Sequence, residues 1–175
     1  MEWEKIKNQS SIVFKLSLLK NLSPLERYEF LQLCHRRKFH SGEFIFFQDD
    51  PGTGMYIIEE GKVRLSVSDS ADNKEKESFY RDISSPAEFG TMSIGYETRR
   101  LYSARCLTDC ILLGFFKPDF ETLKRRHPET SLKFLEAVST KAMKQLELTM
   151  KKLKEEIGAE ASYKILLEAQ YRKTD

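Results

Sequence analysis

Cysteine is scarce in this chain: three in 175 residues. An odd, small number excludes a disulfide-framed fold and fits a reducing compartment. Tryptophan occurs once, and the three histidines, His35, His40 and His127, have no metal-ligand spacing among them. No apolar run approaches the roughly 18 residues of a membrane-spanning helix. The first residues, Met1-Glu2-Trp3-Glu4, are acidic where a secretory leader is basic. Charge of one sign is also lacking, because 29 basic and 27 acidic residues leave a net charge of +2. That balance demands neither nucleic acid nor an acidic membrane as partner. The basic clusters Arg36-Arg37-Lys38 and Lys124-Arg125-Arg126-His127 read as solvated faces. Together these absences point to a cytoplasmic protein without membrane attachment.

Signatures of catalysis are missing too. There is no nucleophile elbow, no phosphate-cradling Walker loop and no metalloprotease helix. His40 with scattered acids does not make the clustered ligand set of a small β-barrel metalloenzyme. Cys106 and Cys110 fall in one apparent strand, Ala104 to Phe116, and at strand rise would lie about 13 Å apart, too far to share a metal. Cys34 stands alone in a helical pattern. Cysteines and histidines are therefore read as structural, no metal site is expected, and the chain is read as a non-enzyme.

What is present is patterned. Of only eight glycines, four fall between Gly42 and Val63. There Phe44 and Phe46, then Tyr56 and Ile58, alternate with their neighbours at period two. Pro51-Gly52 and Glu60-Gly61 sit where the chain must reverse. A second block, Phe89-Gly90-Thr91-Met92-Ser93-Ile94, is followed by Arg99-Arg100. The order of glycines and this second block resemble the cyclic-nucleotide-binding domain family, and within it the sensor domain of catabolite activator/Fnr-type (Crp/Fnr) regulators. The resemblance covers nearly the whole chain, strongest from Gly42 to Val63 and weakest in the C-terminal tail. It implies a mainly β fold with flanking α-helices: a β-roll, jelly-roll-like, from Lys38 to Phe116, with a long C-terminal helix.

The resemblance also implies a ligand site at Phe89, Gly90, Thr91, Met92, Ser93, Arg100, Leu101 and Tyr102. In the family pattern the glycine turn directs backbone N–H groups at a phosphate. A glutamate accepts from the ribose 2′-hydroxyl, and an arginine forks onto the phosphate oxygens. Gly90 and Arg100 match that pattern. Thr91 stands at the glutamate position, and Leu101 and Tyr102 occupy the two positions that are small in the family. Strand alternation puts Leu101 and Tyr102 on opposite faces, so one of the two points inward. The cassette is thus degenerate: its anion half is retained and its ribose half is not. The expected effector is a cyclic nucleotide held weakly or another small anion, and no other cofactor is indicated.

Ser23-Pro24-Leu25-Glu26 is a helix start with a capping box. Leu25, Tyr28, Leu31 and Leu33 with Cys34 form its apolar side through about Arg37. A polar hairpin, Ser68 to Ser78, interrupts the roll, and Lys117-Pro118-Asp119 opens a short helix. A long helix is expected from Glu129 to Ile157, its first half apolar at Leu132, Leu135, Val138 and Ala142. In the second half Met143, Leu146, Met150, Leu153 and Ile157 are spaced 3, 4, 3, 4, the seam of a parallel coiled-coil dimer. Gly158 breaks the helix, and a further amphipathic segment begins near Ala161.

The chain divides by this reading into a helical and β-roll part (1–128), a dimerisation helix (129–157) and the start of a C-terminal segment (158–175). The functional expectation is an effector-sensing, homodimerising module of a Crp/Fnr-like transcription regulator. DNA would be contacted only through a C-terminal domain absent from this chain. The alternative is a stand-alone regulatory or interaction domain without DNA-binding output.

Overall fold

Two four-stranded antiparallel sheets form the roll, and the period-two patterns account for both. In the computed structural model, residues 12–68, 78–95 and 97–171 are described. The strands are β1 (His35–Phe39), β2 (Phe44–Phe46), β3 (Gly54–Glu60), β4 (Lys62–Val67), β5 (Phe79–Ser84), β6 (Ala87–Phe89), β7 (Ser103–Cys106) and β8 (Cys110–Phe116). One sheet has the order β1-β8-β3-β6 and the other β2-β7-β4-β5. The helices are α1 (Pro24–Gln32), α2 (Met92–Gly95), α3 (Lys117–Arg126), α4 (Pro128–Ile157) and α5 (Ala159–Tyr171), preceded by a 3-10 turn at Ser17–Leu19. By its internal contacts the chain divides into two units, Met1–Val138 and Ser139–Asp175. No helix among the described residues is long and apolar enough to cross a membrane.

The central strands β3 and β8 pair as Met55↔Phe115, Tyr56↔Gly114, Ile57↔Leu113 and Ile58↔Leu112. Because successive side chains leave a strand on opposite faces, this one pair supplies both cores. Met55, Ile57, Leu113 and Phe115 enter a cluster with Val13, Leu16, Leu19, Phe30, Leu123 and Phe134 from the N-terminal segment and the helices. Tyr56, Ile58 and Leu112 enter a second cluster inside the roll with Phe46, Val63, Phe89, Ala104 and Cys106. The first cluster centres on mutually tilted rings: Phe30 lies 4.5 Å from Phe115 and 5.0 Å from Phe134, centroid to centroid.

Several sequence expectations need correction. α1 has the capping box that was read, with Ser23 N–H donating to Glu26 Oε2 at 2.7 Å and Ser23 Oγ accepting from Glu26 N–H. It ends at Gln32, however, and does not continue to Arg37. His35 to Phe39 instead pair in register with Gly114 to Cys110, and a full ladder of interstrand bonds outweighs a local helical pattern. The roll accordingly begins at His35 rather than Lys38. Leu25 and Tyr28 are exposed, and the buried anchor of α1 is Phe30. The polar hairpin lies for the most part outside the described residues.

The cysteine reading also changes. Cys106 ends β7 and Cys110 begins β8, with a reversal between them, so they face each other across a corner and do not share one extended strand. The Cys106 thiol is hydrogen-bonded with Cys110, and burial pushes its pKa up. Both thiols are free, buried and part of the inner core.

α4 starts within one residue of the expected place, but its roll-side face is different. Val138 is buried as expected, but Leu132 and Leu135 are exposed, and Thr130, Ser131 and Phe134 are buried in their place. Polar bonds fix that rotation. Thr130 Oγ1 donates to Glu29 at 2.7 Å, Lys133 Nζ meets Glu26 at 2.6 Å, and Asn21 Nδ2 donates to the Lys133 carbonyl at 2.8 Å. The Lys133 bond is the first cause holding the Glu26 carboxyl below its ordinary pKa. In the second unit, Met143, Leu146 and Ile157 are exposed and Met150 and Leu153 are half-exposed.

These orientations predict opposite outcomes for two neighbouring truncations. Phe134→Ala is expected to cost about 3–5 kcal/mol, since it empties the centre of a ring cluster. Leu132→Ala should stay within about 0.5 kcal/mol of the parent. Urea unfolding of both variants checks this; equal losses would place the face of α4 wrongly.

Candidate functional site

The second glycine block folds into a turn and a single short helix. β6 ends at Phe89, Gly90 takes φ +75°, and α2 follows at once. Positive φ is costly for any residue with a Cβ. Gly90 is constrained a second way, because a Cβ there would lie 2.5 Å from Arg100 Nη1.

Arg100 is brought to this turn by backbone lashing between two loops. Its N–H donates to the Asp50 carbonyl at 2.9 Å and its carbonyl accepts from Asp49 N–H at 2.8 Å. Gly52 N–H donates to the Thr98 carbonyl at 2.8 Å. The side chain is 5% exposed. Its Nη1 donates to the Gly54 carbonyl at 2.8 Å and to Ser93 Oγ at 3.2 Å, and the guanidinium lies 4.1 Å from the centre of the Phe46 ring. Nε is buried without an acceptor. No carboxylate is bonded to this cation among the described residues. Burial lowers the Arg100 pKa, opposed by Tyr56, Tyr102 and Asp50, yet a guanidinium remains charged throughout the physiological range.

The other positions separate into inward and outward groups. Thr91 and Ser93 are buried, and Met92 and Leu101 are exposed. Tyr102 turns inward: its hydroxyl oxygen accepts from Gly90 N–H at 3.0 Å, and its ring packs 6.0 Å from Phe46. Burial pushes the Tyr102 pKa up, with the Gly90 bond and Arg100 acting against it. Arg99, the neighbour of Arg100 in the sequence, does not join the site: its side chain donates to the Asp49 carbonyl at 2.7 Å. Two participants were not singled out from sequence: the Gly54 carbonyl and the Phe46 ring. Gly54 reads as turn chemistry and Phe46 as a strand core position, and no local pattern marks either as a partner of a residue about 50 positions away.

An open groove of about 1030 Å³ lies beside this turn, with Pro51, Thr98, Arg99, Phe116 and Lys117 among its walls. Gly90, Arg100 and Tyr102 are not among the residues that line it. Among the described residues no cluster of three or more His, Cys, Asp or Glu is placed to hold a metal ion.

The double constraint on Gly90 yields a prediction. Gly90→Ala should lower stability by about 1–3 kcal/mol, because it combines left-handed backbone strain with a clash against Arg100. Gly95→Ala, where an added Cβ meets nothing within 4 Å, should be close to neutral. Thermal unfolding of the two variants, each monitored by circular dichroism, makes the comparison.

This geometry can be set beside known proteins. The sequence is 34% identical over 112 residues to the cyclic AMP receptor protein of Thermus thermophilus, a match covering 63% of this chain and 50% of that protein. The chain thus spans about half the length of this relative. The fold matches the crystal structure of the Thermus thermophilus catabolite activator protein with a TM-score of 0.64 and 29% identity, over 78% of this chain and 62% of the other. It also matches the N-terminal domain of a transcriptional regulator from Streptomyces coelicolor, with a TM-score of 0.68 over 77% of this chain and 94% of that one. At 23% identity that second likeness shows the fold alone. The sequence model of the cyclic nucleotide-binding domain matches residues 36–127, which is the roll with α3. Matched over more than half of its length, the chain belongs to the cyclic nucleotide-binding domain family.

Proposed function

We propose that this chain is the effector-sensing and dimerisation module of a Crp/Fnr-like transcription regulator, with a degenerate phosphate-binding cassette. The observation that carries the reading is the Arg100 guanidinium. It is buried beside the Gly90 turn and, among the described residues, bonded only to neutral acceptors. Taking a cation out of water without a counter-charge is costly, and an anionic effector at the turn would supply that charge. Arg100 in this role is a binding residue, and nothing in the proposal requires catalysis.

Selectivity follows from what surrounds it. With Thr91 in place of a carboxylate, a ribose hydroxyl loses its charge-assisted acceptor, a difference of about 1–3 kcal/mol. That is roughly ten- to a hundredfold in affinity. The favoured effector is therefore a small anion, with a cyclic nucleotide held weakly. DNA contact would be made by a C-terminal domain outside this chain.

Dimerisation rests on α4. Met143, Leu146 and Ile157 expose 61%, 45% and 46% of their surface, and with Met150 and Leu153 they run along one side at coiled-coil spacing. Burying each large apolar side chain against a second copy would contribute about 1.5–3 kcal/mol. A two-fold partner also suits the palindromic half-sites that such regulators read.

Two measurements test the proposal. Calorimetric titration with cyclic AMP and cyclic GMP should give weak heat, with affinity poorer than micromolar. Sub-micromolar binding abolished by Arg100→Ala would show that Thr91 and Tyr102 tolerate a tightly held nucleotide. Sedimentation velocity at micromolar concentration should show a dimer, and Leu146→Glu combined with Leu153→Glu should give a folded monomer. A parent protein that sediments only as a monomer would sink the dimerisation half of the proposal.

A further inference from the structure

At the cassette turn the chain offers its own side chain where an anion would sit. The Gly90 N–H is a donor the turn would offer an anion, while the Gly90 carbonyl accepts from Ser93 N–H and closes the turn. That N–H is bonded to Tyr102 Oη at 3.0 Å. The phenol comes from the position two residues after Arg100, so the residue that brings the cation to the turn also brings its competitor. Tyr102 packs against Phe46, the same ring that carries the Arg100 guanidinium. Packing alone would be met by a phenylalanine; the hydroxyl adds an acceptor for an N–H that would otherwise be left without one. Leu101 plays no part, being 61% exposed and turned away.

We propose that Tyr102 is the specificity-determining residue of this site, a built-in competitor that holds the Gly90 N–H and fills the space beside Arg100. The inference rests on the reading of the turn as an anion site. A phosphate oxygen takes the Gly90 N–H only when the Tyr102 hydroxyl releases it, and a bulky phosphodiester such as a cyclic nucleotide needs the ring itself displaced as well. Inorganic phosphate needs only the donor freed. The buried Arg100 Nε, without an acceptor in the closed arrangement, is a further donor for the entering oxyanion. Tyr102 thereby sets both the threshold for effector entry and the size of effector admitted.

The test is calorimetric titration of the full chain with cyclic AMP and, separately, with inorganic phosphate. The parent is compared with Tyr102→Ala, Tyr102→Phe and the double variant Tyr102→Ala/Arg100→Ala, each first shown by thermal unfolding to be folded. Tyr102→Ala should bind cyclic AMP at least tenfold more tightly than the parent, and the double variant should lose that gain. Tyr102→Phe, which keeps the ring and removes the hydroxyl, should gain severalfold for inorganic phosphate and nothing for cyclic AMP. Should Tyr102→Ala not fold, the Tyr102→Phe titration with phosphate decides alone. Folded variants that bind both probes no better than the parent overturn the proposal. A gain in Tyr102→Ala that survives removal of Arg100 would uphold Tyr102 as the competitor and refute the assignment of Arg100 as the anion fork.

Discussion

The antiparallel pairing of β3 with β8 is the constraint on which the rest of the structure depends. Each of the four cross-strand pairs from Met55 to Ile58 commits to one of two apolar clusters, because alternation along a strand leaves no third choice. A shift of one residue in register would send Met55 and Ile57 into the roll and Tyr56 and Ile58 toward the helices, exchanging every partner of both cores. Gly114 permits the pairing where two rings converge on the strand. A Cβ there would lie 2.7 Å from the Phe116 ring and 3.5 Å from that of Tyr56, rings that meet edge to face at 5.7 Å. The same strand pair sets the cassette, since Tyr56 pairs with Phe89 and the Gly54 carbonyl, at the start of β3, receives Arg100.

Arg100 shows how a fold can hold a charge ready without neutralising it. Its backbone is fixed on both sides by Asp49 and Asp50, and its side chain is steered by a backbone carbonyl, a serine hydroxyl and an aromatic face. None of these offers the full counter-charge a carboxylate would. A paired carboxylate would make the site self-sufficient, and removing it would then be costly. Neutral acceptors position the guanidinium and leave its electrostatic demand open. On the reading proposed here, that demand makes the turn responsive to an anion, and Tyr102 regulates the response without quenching the charge.

α4 changes its role along its length. Its first turns are tied to α1 by Thr130–Glu29 and Lys133–Glu26 and contribute Phe134 and Val138 to the core. Beyond Val138 the chain forms a separate unit, in which the heptad-spaced residues keep much of their surface exposed. On the dimer reading proposed above, the stripe already lies on a formed helix, so little further entropy would be lost if a second copy packed against it.

The sequence alone determined what depends on local spacing. Period-two runs between turn glycines are legible because a strand's alternation and a glycine's positive φ are properties of a few neighbouring residues, and they led to the roll and its family. The cap at Ser23 located the start of α1 and the uninterrupted pattern located the end of α4 at Ile157, for the same reason. Tertiary structure alone decided the rest. β1 took His35 to Phe39 away from the helix before it because a distant strand, β8, offered a complete ladder. Thr130, Ser131 and Phe134 displaced Leu132 and Leu135 from the core because polar bonds to α1 set the rotation of α4. Cys106 and Cys110 met across a corner whose reversal carries no glycine or proline. At the cassette, Gly90 and Arg100 were marked by their motif, but the destination of the Arg100 fork was not. It depends on a carbonyl 46 residues away and a ring from another strand, and contacts between residues far apart in sequence leave no periodic trace in it.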